Sequence, residues 1–475
     1  MDDETVSVAD RYDLVVIGGG SAGLTAADFA ARIGAKVLIA AKELGGDCTW
    51  TGCIPSKALI RLARLAHDQL RAGSMGIGTG EVRVDFPRMM AEVRAVIARI
   101  YSHETPEVLA QRGIDVAIGP VRFANGETIE VGERAVGAKH FVICTGAEPA
   151  IPAIPGLAGV PYLTYESIFD LNRLPATMIV VGAGGTGVEL AQAFARLGST
   201  VTLIDQRSSV LPNADPEAAA AVQRRLESDG VGLRMSAAIA AVASAERHVA
   251  VEVGASQLKA DVLLLATGRR PRIAGLELER AGIEIREGAI SIDKSLHTTS
   301  PRVYAAGDVT GGFQFTHYAG WQGYVAARNA LLPEAEHGVR TNVPWAVFTD
   351  PEFAQAGLSE AQARAKFADV KVHRLELERV DRAQTEDERE GLLKLIADPD
   401  GKLVGATVVS RAAGETINEL ALAIDRGLTV SDLASTIHVY PTFSFAVQQL
   451  AAVASLEAAT SGARGRVTRA LRHLG

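Results

Sequence analysis

Two stretches of this chain carry the same punctuation. Residues 13–17, DLVVI, form an apolar run, followed by GGGSAG, an alanine-rich run from Leu24 to Ile33, and a second apolar run, KVLIA. Residues 178–205, MIVVGAGGTGVELAQAFARLGSTVTLID, repeat that order. Strand, glycine turn, helix and strand make the β-α-β unit that receives a dinucleotide: glycines permit a tight turn and close backbone approach, and the helix N-terminus faces the pyrophosphate. Gly18, Gly20 and Gly23 hold the GxGxxG spacing in the first unit, and Gly182, Gly184 and Gly187 hold it in the second. The second unit closes on Asp205, placed to bond a ribose 2′-hydroxyl, with Arg207 near enough to accept a 2′-phosphate. In the first unit the matching position, read as the end of the second strand, is Ala40. Two such units mean two dinucleotides and an α/β fold.

The length of 475 residues exceeds one ordinary core and predicts about three domains. A net charge of -8 argues against nucleic-acid binding, which calls for a basic face. No apolar run reaches the roughly 18 residues of a membrane span, and the acidic start MDDETVSVAD is unlike a signal peptide, so the expected location is cytoplasmic. Three cysteines are too few for a secreted disulfide scaffold.

Two of them stand in GGDCTWTGCIPSK, residues 45–57. On one regular helix Cys48 and Cys53 would be turned about 140° apart and separated by ~7.5 Å along the axis, beyond comfortable disulfide reach. They meet only if a helix starts between them. Gly52 gives the chain that freedom and Pro55 suits a first helical turn, which places Cys53 at a helix N-terminus and Cys48 on an irregular lead-in. The spacing points to redox chemistry or metal binding, but no further ligands stand nearby for a zinc site.

Further along, ICTGAEP (143–149, with Thr145 and Gly146) and LLATGRRP (264–271, with Gly268) resemble each other and read as crossings between domains. VYAAGDVTG puts Asp308 just past an apolar strand, where a carboxylate can hold a sugar-alcohol hydroxyl, and Thr316 opens a helical stretch through Asn329. Beyond Leu332 the pattern becomes a separate α+β domain, and the charge-dense Arg379–Glu390 reads as a solvated loop.

Together the first glycine turn, GGDCTWTGCIPSK, the second glycine turn followed by Glu189, the two Thr-Gly crossings, AAGDV and HVYPT resemble the class I pyridine nucleotide-disulfide oxidoreductases, over roughly residues 12–459. The stretch ELAQAFARLGSTVT looks most like mercuric reductase within that group. The resemblance implies two Rossmann-type domains plus a C-terminal α+β dimerisation domain. The expected boundaries are 1–158 and 285–338 for FAD, 159–284 for NADH or NADPH, and 339–475 for a homodimer interface. It implies that Cys53 is the flavin-facing thiolate and Cys48 the interchange thiol that meets the acceptor, with hydride reaching the dithiol through the flavin. Lys57 would pair with Glu189 beside the flavin, and the helix from Thr316 would direct its positive end at the flavin. A helix N-terminus lowers a thiol's pKa, in keeping with that division.

The departures bear on the acceptor. Disulfide-reducing members carry His-Pro-Thr and a glutamate, whereas this chain has Tyr440-Pro441-Thr442-Phe443-Ser444-Phe445. Tyrosine replaces the histidine and phenylalanine the glutamate. His438, two residues earlier, would share a face with Tyr440 in an extended segment and so substitute as acid or serve structurally. Mercuric reductase also has tyrosine there, as a metal-site residue. The final stretch, TSGARGRVTRALRHLG, holds no cysteine pair like the one with which that enzyme delivers its ion, and its arginines 464, 466, 469 and 472 suggest a short basic amphipathic helix. The expected activity is a flavin-dependent, NAD(P)H-oxidising reductase whose acceptor is a small molecule or metal ion. Lipoamide-type reduction, quinone or diaphorase activity, and a low-turnover redox-sensing flavoprotein are the alternatives.

Overall fold

The computed structural model describes residues 11–78 and 82–460. It divides into two compact units, one running to Pro175 and again from Val262 to Arg340, the other from Ala176 to Asp261 and from Thr341 onward. The arginine-rich end of the chain lies outside the described residues.

In the first unit the apolar run around Leu14–Ile17 becomes β1 (Arg11–Gly19), flanked by parallel partners β2 (Val37–Leu44) and β6 (Arg134–Ile143). Burial on both faces explains its unbroken hydrophobicity. The sheet continues through β3 (Ile114–Ile118) beyond β2, while β5 (Thr128–Val131) and β4 (Val121–Asn125) add antiparallel strands beyond β6. The strand Val303–Ala305 also pairs in parallel with β6. Ala40 is not the end of β2: it lies opposite Ile17, and the strand runs on until Leu44 lies opposite Gly19.

Helix α1 (Ser21–Arg32) starts three residues earlier than the alanine-rich run suggested, because Gly20 already serves as its N-cap. Its small residues Ala22, Ala26, Ala27 and Ala30 are buried against the helix Thr316–Leu331. Contact is close enough that a Cβ on Gly323 would stand 2.0 Å from the Ala22 carbonyl oxygen. The turn is equally tight at Gly23, where an added Cβ would stand 2.0 Å from the carbonyl oxygen of Gly18. Any side chain at either position would push α1 from its seat.

After β2, α2 (Gly46–Trp50) is a single turn and α3 (Cys53–Ala72) follows, N-capped by Gly52. α4 (Phe86–Tyr101) begins at Asp85, whose carboxylate accepts from the Arg88 amide. The two Thr-Gly crossings lie side by side, since Ala147–Pro149 pairs antiparallel with Arg269–Pro271. Each is tied across: Thr145 Oγ1 donates to the Arg272 carbonyl and Thr267 Oγ1 to that of Ala150.

In the second unit Thr177–Val181, Thr200–Ile204 and Gly232–Arg234 are parallel strands, with the helix Gly185–Leu197 between the first two. A five-stranded antiparallel sheet in the order Trp345–Val347, Glu352–Gly357, Leu403–Ser410, Leu392–Ala397, Lys371–Glu376 packs on the helices Ala413–Arg426 and Phe445–Thr460. Within it Lys394, its side chain 2% exposed, reaches Asp215 (2.8 Å), Glu217 (2.8 Å) and Glu360 (3.3 Å). The run Arg379–Glu390 is not a plain solvated loop. It contains the helical turn Asp381–Thr385 and buries Ala383 and Glu388, the latter paired with Arg225 and Arg411. Several of its charges, Glu388 above all, are spent on fixed partners, which a count of charged residues does not reveal.

Candidate active site

Cys53 is the first residue of α3, as the glycine before it and the proline after it predict. Cys48 departs from expectation: it lies within the one-turn helix α2, not on an irregular lead-in. Both are free thiols, partly buried and hydrogen-bonded to each other. The third cysteine, Cys144, is buried, and burial pushes its thiol up. Cys53 Sγ is 3.2 Å from Thr316 Oγ1, at the first residue of the helix Thr316–Leu331. The Thr316 carbonyl in turn accepts from Ser21 Oγ, the first residue of α1.

Three helix N-termini thus converge on one corner of the first unit. Each carries roughly half a positive charge, so the corner favours an anion. A helix N-terminus of this kind favours a thiolate at Cys53. The Cys48 thiol is held well above its usual range by its bond to Cys53 and then by burial. Lys57 lies one turn into α3, partly buried.

A group of charges that motif reading missed surrounds the residue before Cys48. Asp47 accepts from Arg269 (2.8 Å) and Tyr165 Oη (3.2 Å), and Arg272 approaches at 3.5 Å. Arg269 also pairs with Asp308 at 2.7 Å, joining the redox turn to the turn after Val303–Ala305. Burial raises the Asp308 carboxyl, and the Arg269 guanidinium partly opposes it. The signals were present in GGDC and TGRRP as charges beside turn residues, but nothing local paired them.

Both glycine turns fit a pyrophosphate. Neither α1 at Gly20 nor the helix Gly185–Leu197 at Gly184 has a side-chain cap, so their first N–H groups are presented to a ligand. Asp205 follows the strand Thr200–Ile204, and its carboxylate accepts from the backbone N–H of Ala183 (2.6 Å) and of Arg207 (2.7 Å). This acid shapes the turn itself. Gly187 is buried in that helix; Gly146 and Gly268 take positive φ of 72° and 114° in the paired crossings.

The matches to known proteins agree. Residues 12–323 match the pyridine nucleotide-disulphide oxidoreductase family and residues 343–451 its dimerisation domain. The chain belongs to the pyridine nucleotide-disulphide oxidoreductase family. A mercuric reductase of Bacillus cereus is 37% identical over 91% of this chain and 70% of its own length. A dihydrolipoyl dehydrogenase of Thermus scotoductus is 37% identical over 93% of this chain and 96% of its own. The Cu(II) complex of the HOCl-induced flavoprotein disulfide reductase RclA from Escherichia coli superposes with a TM-score of 0.84, at 32% identity, over 94% of this chain and 99% of that one. Members of this oxidoreductase family use FAD and NAD(P)H.

The remaining candidates of this oxidoreductase lie in the second unit. Glu189 is buried and accepts from the Phe348 amide at 2.8 Å. His438 and Tyr440 do not share surroundings, because the segment is not a regular strand. His438 is turned inward, with Nε2 2.6 Å from Glu419 Oε1 and Nδ1 2.9 Å from the Thr436 carbonyl. Tyr440 points outward, donates to Asp381 at 2.8 Å and meets the Phe445 ring edge-on. A histidine–carboxylate pair therefore exists, built from Glu419 on the helix Ala413–Arg426, which the sequence motif does not reach. Beside it a cleft of about 430 Å³ is lined by Arg382, Glu415, Thr416, Glu419, Thr442 and Ser444, among others. Among the described residues no helix is long and apolar enough to cross a membrane, and no group of three or more His, Cys, Asp or Glu is arranged to hold a metal ion.

Proposed function

We infer that this oxidoreductase oxidises NADH or NADPH and delivers two electrons through Cys48 and Cys53 to a thiophilic metal ion or a quinone. The observation that carries this reading is the asymmetric dithiol: Cys53 at a helix N-terminus against Thr316, with Cys48 keeping its proton. FAD, when bound, supplies the two-electron link between nicotinamide and dithiol. Gly18, Gly20, Gly23, Asp308 and Thr316 would hold it, with the crossing residues Thr145, Gly146 and Gly268 near its site. Gly182, Gly184, Gly187, Asp205 and Arg207 would hold the nicotinamide nucleotide. Lys57 and Glu189 are the charged pair implied by the resemblance.

In the final step the Cys48 thiol and the Cys53 thiolate give up two electrons and one proton, close the Cys48–Cys53 disulfide, and leave the acceptor reduced. An organic disulfide acceptor would need a group to protonate its leaving thiolate. Tyr440 and Phe445 occupy the positions where disulfide reductases place that acid and its orienting carboxylate. Soft ions match paired thiolates, and the Cu(II) complex of RclA adds weight to a metal acceptor.

One observation favours a lipoamide-type reading instead: the His438–Glu419 pair. Against it, both ring nitrogens are bonded and the His438 side chain is only 6% exposed, which suits a structural histidine. Homodimer formation is supported by the dimerisation domain and by Ile437 (91% exposed), Val439 (77%) and Tyr440 (60%), apolar surface in need of a cover. The proposed domains are FAD-binding at 1–158 and 285–338, NAD(P)-binding at 159–284 and dimerisation at 339–475, although the compact units change over at Pro175, Asp261 and Arg340; the proposed location is the cytoplasm.

The test runs Hg(II), Cu(II), lipoamide, glutathione disulfide and a quinone side by side with NADH, in wild type and Cys48→Ser. Metal-ion turnover lost in Cys48→Ser supports the reading. Lipoamide reduction as fast as the NADH half-reaction overturns it in favour of His438 as acid.

A further inference from the structure

The two ends of the redox loop meet at one residue. Asp47 is the second residue of α2, directly before Cys48. Its carbonyl oxygen accepts from the Thr51 amide at 3.0 Å, closing α2. A Cβ on Gly52 would stand 2.8 Å from that same oxygen and 3.5 Å from Cys48 Cα. The residue that caps α3 and precedes Cys53 therefore lies against the backbone of Asp47 and Cys48. Any shift of Asp47 moves Cys48 and presses on the start of the helix that carries Cys53.

The Asp47 side chain is tied outside the loop. Its carboxylate accepts from Arg269 Nη2 at 2.8 Å and from Tyr165 Oη at 3.2 Å, with Arg272 Nη2 at 3.5 Å. Arg269 is fixed on its other side: Nη1 reaches Asp308 at 2.7 Å, and the guanidinium lies 5.3 Å from the centre of the Tyr165 ring. Its backbone belongs to the strand paired with Ala147–Pro149. Arg272 is held by Glu166 at 2.8 Å. A planar guanidinium with donors on two edges holds two carboxylates in fixed directions. The redox loop is thereby bolted to a paired strand and does not depend on its own stiffness.

We propose that Asp47 is a positioning residue of the redox pair: bolted through Arg269 to Asp308, it holds Cys48 within bonding reach of Cys53 and so favours closure of their disulfide. This rests on the reading of Cys48 and Cys53 as the redox pair. The equilibrium of closure depends on the effective concentration of one sulfur at the other, which is high only while the loop between them is held. Freed from Arg269, the Cys48 end samples other positions, and the open dithiol gains conformational entropy that closure must remove.

The test places the FAD-loaded protein in glutathione buffers of graded oxidation. Glutathione disulfide takes two electrons and two protons from the Cys48–Cys53 dithiol: its S–S bond breaks as theirs forms, and two glutathione thiols leave. Free thiols are then trapped and the Cys48–Cys53 disulfide is counted by peptide mass spectrometry. Asp47→Ala should lower the equilibrium constant for closure about fivefold, the scale of one partly exposed ion pair that restrains a loop. Arg269→Met should lower it by a similar factor, and the double variant by no more than either alone. Asp47→Asn, which keeps an acceptor for Arg269 and Tyr165, should stay within about twofold of wild type.

A purely electrostatic role gives a different pattern. Deleting the acid and deleting the base change the field at Cys48 in opposite senses, so the constant would move in opposite directions. Opposite shifts, additive shifts, an Asp47→Asn shift as large as that of Asp47→Ala, or a wild-type constant in Asp47→Ala each overturn the proposal. Thermal unfolding confirms that every variant is folded at the assay temperature. Failure of the redox-pair reading shows separately, in the wild type, as the lack of a Cys48–Cys53 disulfide at every buffer ratio.

Discussion

Replacing Arg269 by methionine would keep the apolar stem and delete the guanidinium that joins Asp47 at 2.8 Å to Asp308 at 2.7 Å. The Asp47 and Asp308 side chains are 20% and 10% exposed, so neither carboxylate returns to water when its partner goes. Breaking a fully buried pair costs ~3–5 kcal/mol. Arg269 is itself 26% exposed, and Asp47 keeps Tyr165 and Arg272, so the expected loss is about 2–3 kcal/mol. For a unit of this size that lowers Tm by roughly 5 °C.

The pH dependence has a definite sign. Burial holds the Asp308 carboxyl above its usual range and Arg269 opposes it. Without Arg269, and with Asp47 facing it, Asp308 in the folded variant binds its proton more tightly still than in the unfolded chain. Stability then falls as pH rises from the unfolded pKa of ~3.9 through the raised folded value. The deficit against wild type should be smaller at about pH 5 than at about pH 8. Thermal unfolding across that range, with bound flavin measured after desalting, reads both effects. A deficit under ~0.5 kcal/mol, or one equal at both ends of the range, would refute the reasoning.

On the proposed reading, Gly185→Tyr, beside the glycine turn assigned to the nicotinamide nucleotide, should raise the KM for NAD(P)H. Because an added Cβ meets Val347 Cγ2 at 3.3 Å, Gly185→Ala serves as the control for crowding, and an unchanged KM in Gly185→Tyr counts against the assignment. Tyr440→Phe loses the bond to Asp381 and should leave Tm unaltered while reducing metal-ion turnover only in part; full turnover would remove Tyr440 from the site. Lys394→Met strands the buried Asp215 carboxylate and should cost ~3 kcal/mol in denaturant unfolding, a neutral result showing that the carboxylates relax into water. With Asp205 closing its strand, kcat/KM should be higher for NADH than for NADPH, and the reverse order would assign Arg207 the controlling role.

Much of the catalytic corner was legible locally. The glycine spacing, the alanine-rich helix, the helix start at Cys53 and the helix opening at Thr316 all follow from residues within a few positions of each other. Turn chemistry and helix capping act over that range, so a single stretch determines them. The position of Cys48 was misread because GGDCTW can close a helical turn of its own before Gly52 breaks it. The shared face of His438 and Tyr440 required a regular strand; this segment is not one and sends one side chain to Glu419 and the other to Asp381.

Beyond that range the sequence determined only which residues were available, and the tertiary structure decided which of them meet. The sequence alone carried the two dinucleotide units and the redox cysteines. It did not carry the convergence of three helix N-termini on Cys53 or the Asp47–Arg269–Asp308 chain. Asp47 and Arg269 are 222 residues apart; they meet because the crossing strand Arg269–Pro271 returns to pair with Ala147–Pro149. The physical reason is one of range: a backbone turn is selected by its own few residues, whereas an electrostatic environment sums over every charge that the sheet order brings near, whatever its distance along the chain.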